Sequence, residues 1–332
     1  MKRSIVLVTL AALLVAACGG GGLPGAGGGG LKIGMVTDIG QLEDKSFNEF
    51  SWKGVQDGAK AVGGTASNIV TKDTADYKKN IQQFVDQKYD VIVTVGFLIG
   101  TDTLNAAKAN PTIQFFGVDQ FVADPAPANY QGLLFAENQA GYLAGIVAAN
   151  ITKSGKIGAV GGRSDVPPVV SYIAGYQAAA KAEKPNIQVL VNYTEDFNAP
   201  DKGEASAKTM IGQGADVIFQ VAGLTGAGAL RAACNAKVWG IGVDVDQYLS
   251  LPDAKACIVT SAEKKLQIAT AEAIKRFKDK GKQGGNFFND AKNGGIAASE
   301  IRNISPVPAG LQDKLNKALE DMKSGKLNPP TK

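Results

Sequence analysis

The heptapeptide DVIVTVG occupies Asp90–Gly96, and a near copy of it, DVIFQVA, occupies Asp216–Ala222. Two further pairs recur at almost the same spacing. KIGMV at Lys32–Val36 matches KIGAV 124 residues later, and the GVD of Gly117–Asp119 returns 125 residues later as Gly242–Asp244. Three pairs at nearly one offset indicate an internal duplication of the chain.

Eight short apolar runs have the composition of buried parallel strands. They are rich in Val and Ile and lack polar alternation, which is typical of strands covered on both faces. These runs are Lys32–Thr37, Ser67–Thr71, Asp90–Gly96, Ile113–Asp119, Lys156–Gly162, Ile187–Tyr193, Asp216–Gly223 and Val238–Asp244. Helical patterns separate them, so we expect an α/β protein with two doubly wound parallel-sheet domains.

The first residues predict a secretory lipoprotein signal. Lys2 and Arg3 precede an apolar stretch that is short for a membrane span, and small residues stand just before Cys18. We expect residues 1–17 to be a signal peptide, with cleavage before Cys18 and lipid attachment to its sulfur. The alternative is an ordinary secretory signal with Cys18 nearby by chance. The glycine-rich segment completing 18–30 would be a flexible tether.

Composition excludes several classes of site. The 332 residues include no histidine and three cysteines, so Ser-His-Asp nucleophiles, His-based zinc sites and Cys₄ metal sites are excluded. The formal charge of +4 is not gathered into a basic block, and nucleic-acid binding is not expected. We expect no metal and no cofactor. Cys234 and Cys257 either form a disulfide or remain buried thiols.

Ligands of open α/β sheets bind beyond the carboxyl ends of the strands, so the residues after each strand are the candidates. After the first strand, Ser46–Glu49 has the S-x-x-E form of a capping box, with Ser46 as the N-cap. This places Phe47 and Asn48 at a helix start beside the cleft, where a ring face and an amide suit a planar heterocycle. The alternative is that Phe47 packs into the core with Phe50.

Other candidates follow later strands. Asp119 and Asp244 are equivalent under the 125-residue offset and suit hydroxyl or amide donors, with Asp246 as a second candidate. A turn-forming aspartate is the alternative reading. Phe219 and Gly223 lie in and after one strand, and Phe219 could equally fill the core. Lys264 lies at the same rim, where a solvated lysine is the alternative.

The chain resembles the basic membrane protein family, substrate-binding lipoproteins of ABC transporters related to the purine nucleoside receptor PnrA. The resemblance runs from about Lys32 to Lys282. It is carried, in order, by VTDIGQLEDKSFNEFSWKG, FGVDQ, NQAGYLAGIVAA, KIGAVGG, DVPPV, AGYQAAAKA, GADVIFQVAG, IGVDVDQ and VTSAEKK. It implies a type I periplasmic-binding-protein fold, in which two domains joined by three crossovers close around a ligand.

The resemblance also implies roles for these residues. Phe47 and Phe219 would sandwich a nucleoside base, and Asn48 and Asp119 would bind its edge. Gly223, Asp244 and Lys264 would bind the ribose, and Asp38 and Asp246 are weaker candidates. Two departures from the family pattern, Leu224 after Gly223 and Glu263 before Lys264, affect the ribose side.

The resemblance further implies an organisation and partners. We expect one lobe from 31–135 with about 264–297, and another from 136–263 with about 298–332. The protein would be a lipid-anchored, extracytoplasmic monomer that delivers nucleosides, purine nucleosides in particular, to the permease and ATPase subunits of an importer. One rival is a binding protein for a pentose or similar solute. An acid-dependent nucleoside hydrolase is disfavoured, because the aspartates are divided between the halves.

Overall fold

The computed structural model describes residues 30–332, which form twelve β-strands and ten α-helices. The strands are β1 (Lys32–Thr37), β2 (Thr65–Ile69), β3 (Val91–Val95), β4 (Gln114–Val118), β5 (Tyr130–Phe135), β6 (Lys156–Gly161), β7 (Gln188–Tyr193), β8 (Val217–Val221), β9 (Trp239–Asp244), β10 (Ile258–Lys264), β11 (Gly285–Asn289) and β12 (Ile296–Ala298). The helices are α1 (Phe47–Ala61), α2 (Tyr77–Asp86), α3 (Gly100–Ala109), α4 (Glu137–Ile151), α5 (Pro167–Glu183), α6 (Pro200–Gly212), α7 (Gly223–Asn235), α8 (Gln247–Ser250), α9 (Leu266–Lys280) and α10 (Leu311–Lys323).

The signal peptide, Cys18 and all of the tether except Gly30 lie outside the described residues. In the part of the chain that is described, no helix combines the length and the apolar character needed to cross a bilayer.

The strands form two six-stranded sheets of matching order. The first runs β11-β5-β4-β3-β1-β2 and the second runs β12-β10-β9-β8-β6-β7, with every pairing parallel except that of β12. The duplicated runs take equivalent places, β1 with β6, β3 with β8 and β4 with β9. The predicted pair of parallel-sheet α/β domains is therefore confirmed. We call the first sheet with its helices the first lobe and the other the second lobe.

Burial follows position in the sheet. Every residue of β3, β4 and β8 is buried, as expected for central strands with helices on both faces. The edge strands β2 and β7 are partly exposed, because only one neighbour covers them. β5 and β11, which were not among the apolar runs recognised in the sequence, extend the first sheet beyond β4.

Across residues 30–332 the chain passes between the lobes three times, from β5 to α4, from β10 to α9 and from β11 to β12. The three connections are linked by backbone hydrogen bonds: Ala136 donates to the carbonyl of Asn289 over 2.9 Å, and Lys265 to that of Gly295 over 2.9 Å. Together they form a narrow hinge. Lys264 is the last residue of β10 and lies where the second connection begins.

Helices α4 and α5 pack closely against each other in the second lobe, next to the gap between the lobes. A β-carbon at Gly141 would lie 2.0 Å from the carbonyl oxygen of Tyr172, so only glycine allows this approach. Tyr172 itself is buried and lines the gap between the lobes.

Cys234, at the end of α7, and Cys257, just before β10, form a disulfide. Of the two alternatives that the sequence left open, the bridged one is present. The bridge ties the segment containing β9 and α8 to the body of the second lobe.

Candidate functional site

A cleft lies between the lobes, beyond the carboxyl ends of the central strands. This is where ligands of open α/β sheets bind. Loops from both lobes line it, with the hinge lysine at its base. The sequence-predicted residues that line the cleft are Asp38, Phe47, Asn48, Asp119, Gly223, Asp244 and Lys264, whereas Phe219 and Asp246 do not.

The loop before α1 is held by Asp44 rather than by the expected capping box. The Asp44 carboxylate accepts the backbone N–H of Ser46 (2.9 Å), Asn48 (2.9 Å) and Glu49 (3.2 Å). Ser46 makes no side-chain cap, and Glu49 accepts from the backbone of Lys45 instead of that of Ser46. The capping-box prediction is therefore wrong, because an acid two residues earlier already satisfies the free donors of the helix.

Phe47 and Asn48 begin α1 as expected, and both line the cleft. Asn48 is buried, and its amide nitrogen donates to the carbonyl of Gln41 over 3.2 Å. Within residues 30–332 its Oδ1 has no hydrogen-bond partner. Phe47 also packs against the apolar core of the first lobe, as Phe50 does. The ring therefore both lines the cleft and contacts the core, which were the two alternatives for this residue.

Phe219 is a core residue in the structure. It lies in the middle of β8 with no exposed surface, and its ring packs 4.9 Å from that of Tyr176 and 6.3 Å from that of Tyr172. Helix α5 therefore separates it from the cleft, which opens only past the end of the strand at Val221. The geometry does not support the expected stacking role.

Besides Tyr172, the second lobe presents Phe197 to the cleft, from the loop between β7 and α6. Its ring rests on Gly162, where a β-carbon would lie 2.2 Å from a ring carbon. A signal for this residue existed in the sequence. The dipeptide Phe-Asn occurs just before or at a helix start both at Phe47–Asn48 and at Phe197–Asn198, and all four residues line the cleft.

Asp119 and Asp244 take the same unusual backbone conformation. Their φ angles are 60° and 64°, in the left-handed region that non-glycine residues seldom occupy and that Asp and Asn tolerate best. Each follows or ends the equivalent strand of its lobe, β4 or β9. The duplication therefore delivers one buried carboxylate from each lobe to the same cleft.

Lys264 lies among three buried carboxylates. Its Nζ is 2.5 Å from Asp119 Oδ2, 3.6 Å from Glu137 Oε1 and 4.0 Å from Asp244 Oδ1. It also lies 4.6 Å from the centroid of the Phe47 ring. The alternative of a solvated lysine does not hold, since only 2% of the side chain is exposed.

Burial and the neighbouring charges have opposing effects on the pKa of Lys264 and on that of Asp119. Burial lowers the pKa of Lys264, but Asp119, Glu137 and Asp244 together outweigh it and hold that pKa above its usual range. Burial raises the pKa of Asp119, against the opposing effect of Lys264, and raises the pKa of Glu137 to about 8. Sequence reasoning missed Glu137, because an acid in the first turn of a helix is an ordinary capping choice.

The second oxygen of Asp119, Oδ1, is buried and has no partner within the described residues. Together with Asn48 Oδ1 it gives the first lobe two unused acceptors next to an aromatic ring. Buried acceptors without donors are costly, so a ligand that supplies N–H groups would gain from both.

Asp38 also faces the cleft. Its carboxylate accepts the backbone N–H of Ile39 over 2.5 Å and that of Leu98 over 3.4 Å. Gly96 packs against it, and a β-carbon there would lie 1.9 Å from Asp38 Oδ2. Burial raises the pKa of Asp38 to about 7, although the two backbone donors oppose the shift.

Gly223 lines the cleft at the start of α7 with a φ of 55°, whereas Asp246 has a structural role. Asp246 accepts the backbone N–H of Tyr248 at the start of α8 and pairs with Arg302 over 2.7 Å. Its side chain is therefore already satisfied by protein groups, and the expectation of a ligand role for it is not supported.

The residues between 30 and 332 contain no group of acidic, histidine or cysteine side chains arranged to hold a metal ion. For contacts with a ligand the cleft offers aromatic rings, an amide, carboxylates from two lobes and the ammonium group of Lys264.

Comparison with known proteins agrees with this architecture. The family model described as ABC transporter substrate-binding protein PnrA-like matches residues 31–329. The ABC transporter nucleoside-binding protein BmpA of Lactococcus lactis subsp. cremoris is 34% identical over 322 residues, covering 91% of this chain and 90% of that protein. Basic membrane protein A of Borreliella burgdorferi is 29% identical, covering 90% and 86% of the two chains.

Solved structures give the same result. An ABC transporter solute-binding protein from Aeropyrum pernix K1 superposes with a TM-score of 0.80 at 23% identity, covering 91% of this chain and 94% of that one. One from Conexibacter woesei has a TM-score of 0.71 at 26% identity, covering 91% and 99%. The predicted type I periplasmic-binding-protein fold is confirmed. The chain belongs to the PnrA-like family of ABC transporter substrate-binding proteins.

Proposed function

We propose that this substrate-binding protein captures nucleosides in the cleft between its lobes and delivers them to an ABC importer. The observation that carries the proposal is the pair of buried, unused acceptors, Asn48 Oδ1 and Asp119 Oδ1, beside the ring of Phe47. A nucleobase offers a flat apolar face and N–H donors at its edge, and so matches both features. The nucleoside-binding BmpA relative supports the same ligand class.

The sugar would lie towards the second lobe. Asp244 and Gly223 line that side, and Lys264 joins it to the base side through Asp119. Vicinal hydroxyls are good donors to a carboxylate. Phe197 replaces Phe219 as the aromatic contact that we assign to the second lobe.

Charge sets the boundary of the ligand class. Asp119, Glu137 and Asp244 are buried around the ammonium group of Lys264, and Asp38 also lines the cleft, so acidic groups outnumber that ammonium group. A nucleotide phosphate would meet this excess in a poorly hydrated site and be repelled. We therefore expect neutral nucleosides to bind and nucleotides to be rejected.

A thermal-shift and calorimetric screen tests the proposal with nucleosides, free bases, nucleotides, ribose and other pentoses. Binding of one or more nucleosides, with purine nucleosides the first to try, supports it. Binding of ribose with no response to any nucleoside would refute it in favour of the pentose alternative. Turnover of the nucleoside to free base, followed by chromatography of the same samples, would show an enzyme instead.

The family is extracytoplasmic, and we propose that this chain is held at the membrane by a lipid on Cys18 after removal of residues 1–17, as a monomer. The basic start, the short apolar stretch and the glycine-rich tether support the proposal. Labelled fatty acid should enter the wild-type protein and not the Cys18→Ala variant. Equal labelling of both would contradict the assignment.

A further inference from the structure

Ser46 occupies the N-cap position of α1 but does not cap the helix. It is fully buried, and its hydroxyl donates to Asp244 Oδ2 across 2.8 Å, with the carbonyl oxygen of Val243 3.3 Å away. Ser46 belongs to the first lobe, and Asp244 ends β9 in the second. The bond therefore crosses the cleft and exists only when the lobes are together.

The hydroxyl is free for this contact because Asp44 does the capping. The Asp44 carboxylate accepts three N–H groups of the loop and first turn, including that of Ser46 itself. The helix therefore needs nothing from the Ser46 side chain. Asp44 also fixes the Ser46 backbone, which directs the hydroxyl across the cleft.

Asp244 has weaker partners elsewhere. Its other oxygen, Oδ1, lies 3.5 Å from the Tyr172 hydroxyl and 4.0 Å from Lys264 Nζ. The shortest contact of the carboxylate is therefore the one made by Ser46. When the lobes separate, this contact is lost and the carboxylate is held only by the longer ones.

A second serine joins the same two loops without touching the cleft. Ser250, at the end of α8, donates to the backbone carbonyl of Lys45 across 2.7 Å. Neither Ser250 nor Lys45 lines the cleft. The structure thus contains two neighbouring hydroxyl contacts between the lobes, and only one of them ends on a candidate ligand-binding carboxylate.

We propose that Ser46 is a positioning residue that couples closure of the lobes to recognition of ligand hydroxyl groups by Asp244. Its hydrogen bond fixes the plane of the carboxylate as the cleft closes, so that the remaining lone pairs point at the sugar. The inference rests on the proposed nucleoside-binding function, and it adds a residue that does not line the cleft.

The test compares Ser46→Ala with the matched control Ser250→Ala in the full-length protein in detergent. Calorimetry gives the Kd of each for a nucleoside that the wild type binds and for its 2′,3′-dideoxy analogue. Ser46→Ala should weaken nucleoside binding about tenfold, as expected for loss of a hydrogen bond to a charged group. For the dideoxy analogue the loss should fall to about twofold, because the analogue makes no use of Asp244. Ser250→Ala should weaken both ligands by one small, equal factor.

An equal loss of affinity for both ligands in Ser46→Ala would overturn the inference. Ser46 would then act as Ser250 does, through contact between the lobes and not through Asp244. Wild-type affinity in Ser46→Ala would also overturn the inference. Ser46→Cys, which keeps the shape but is a weaker donor, should show the same ligand-dependent loss at a smaller size, and its failure to discriminate would count equally against the inference. If the wild type binds no nucleoside, the proposed function itself has failed, and that result is seen before any variant is made.

Discussion

The assignment of Phe197 to the ligand and Phe219 to the core predicts opposite outcomes for two identical substitutions. Phe219→Ala removes a side chain with no exposed surface from contact with Tyr172 and Tyr176. Buried Phe→Ala substitutions cost about 3–5 kcal/mol, which is a large share of the roughly 5–15 kcal/mol that stabilises a typical domain. We expect a much lower urea midpoint and, in protein that is still folded, nearly unchanged affinity.

Phe197→Ala should do the reverse. The ring is partly exposed in a loop, so its loss should cost about 1 kcal/mol of stability or less. If the ring stacks on a base, the loss of affinity should be about 1–3 kcal/mol, or about 5- to 150-fold in Kd.

Urea unfolding followed by circular dichroism and calorimetric titration with a nucleoside measure the two effects on the same samples. The reasoning is refuted if Phe219→Ala loses affinity while keeping its stability and Phe197→Ala binds like the wild type. That pattern would restore the sandwich expected from the sequence.

Three further outcomes follow from the buried charges and the disulfide. Lys264→Met should leave buried carboxylates unpaired and lower the free energy of unfolding by about 3–5 kcal/mol, so an unchanged urea midpoint would contradict the ion-pair geometry. Burial raises the pKa of Asp38 to about 7 and that of Glu137 to about 8, whereas in the unfolded chain both ionise near pH 4. The folded protein therefore holds extra protons between about pH 4 and pH 8, and its stability should fall as the pH rises through that window. Asp38→Asn should make this fall in stability shallower. A stability-versus-pH curve identical to that of the wild type would argue against the raised pKa of Asp38. Replacing Cys234 and Cys257 with serine should cost about 3 kcal/mol of stability with no change in ligand affinity, because neither cysteine lines the cleft; reduced affinity would show that the bridge also shapes the site.

The sequence predicted the sheets well because buried parallel strands leave a strong local pattern. The bounds of β1 were predicted to the residue, and β6, β8 and β9 were predicted from their own apolar runs, which the duplication matched to β1, β3 and β4. β5 and β11 were not recognised. The first has Gln131 and Gly132 in its first half, and the second has Asn286 and Asn289 as its second and last residues, so both have only short apolar runs.

The site was harder to predict, because a strand pattern does not show how far the strand extends beyond its helices. Phe219 and Val221 lie two residues apart on β8, yet only Val221 reaches the cleft. Phe197 lies in a loop after an edge strand, where no periodicity exists to read. Ser46 matched the capping-box pattern in the sequence. Only the structure of the loop shows that Asp44, and not Ser46, accepts the free N–H groups at the start of α1.

The left-handed backbone at Asp119 and Asp244 also limits how the specificity of this cleft can evolve. A single nucleotide change converts an aspartate codon to one for Asn, Gly, Ala, Val, His, Tyr or Glu. At a φ near 60° a branched side chain such as Val is strained, while Asn and Gly fit with little penalty. The single-nucleotide substitutions best tolerated at these positions are therefore those that remove the charge and keep the left-handed backbone. New ligand preferences would arise first by exchange of a carboxylate for an amide or for an empty space.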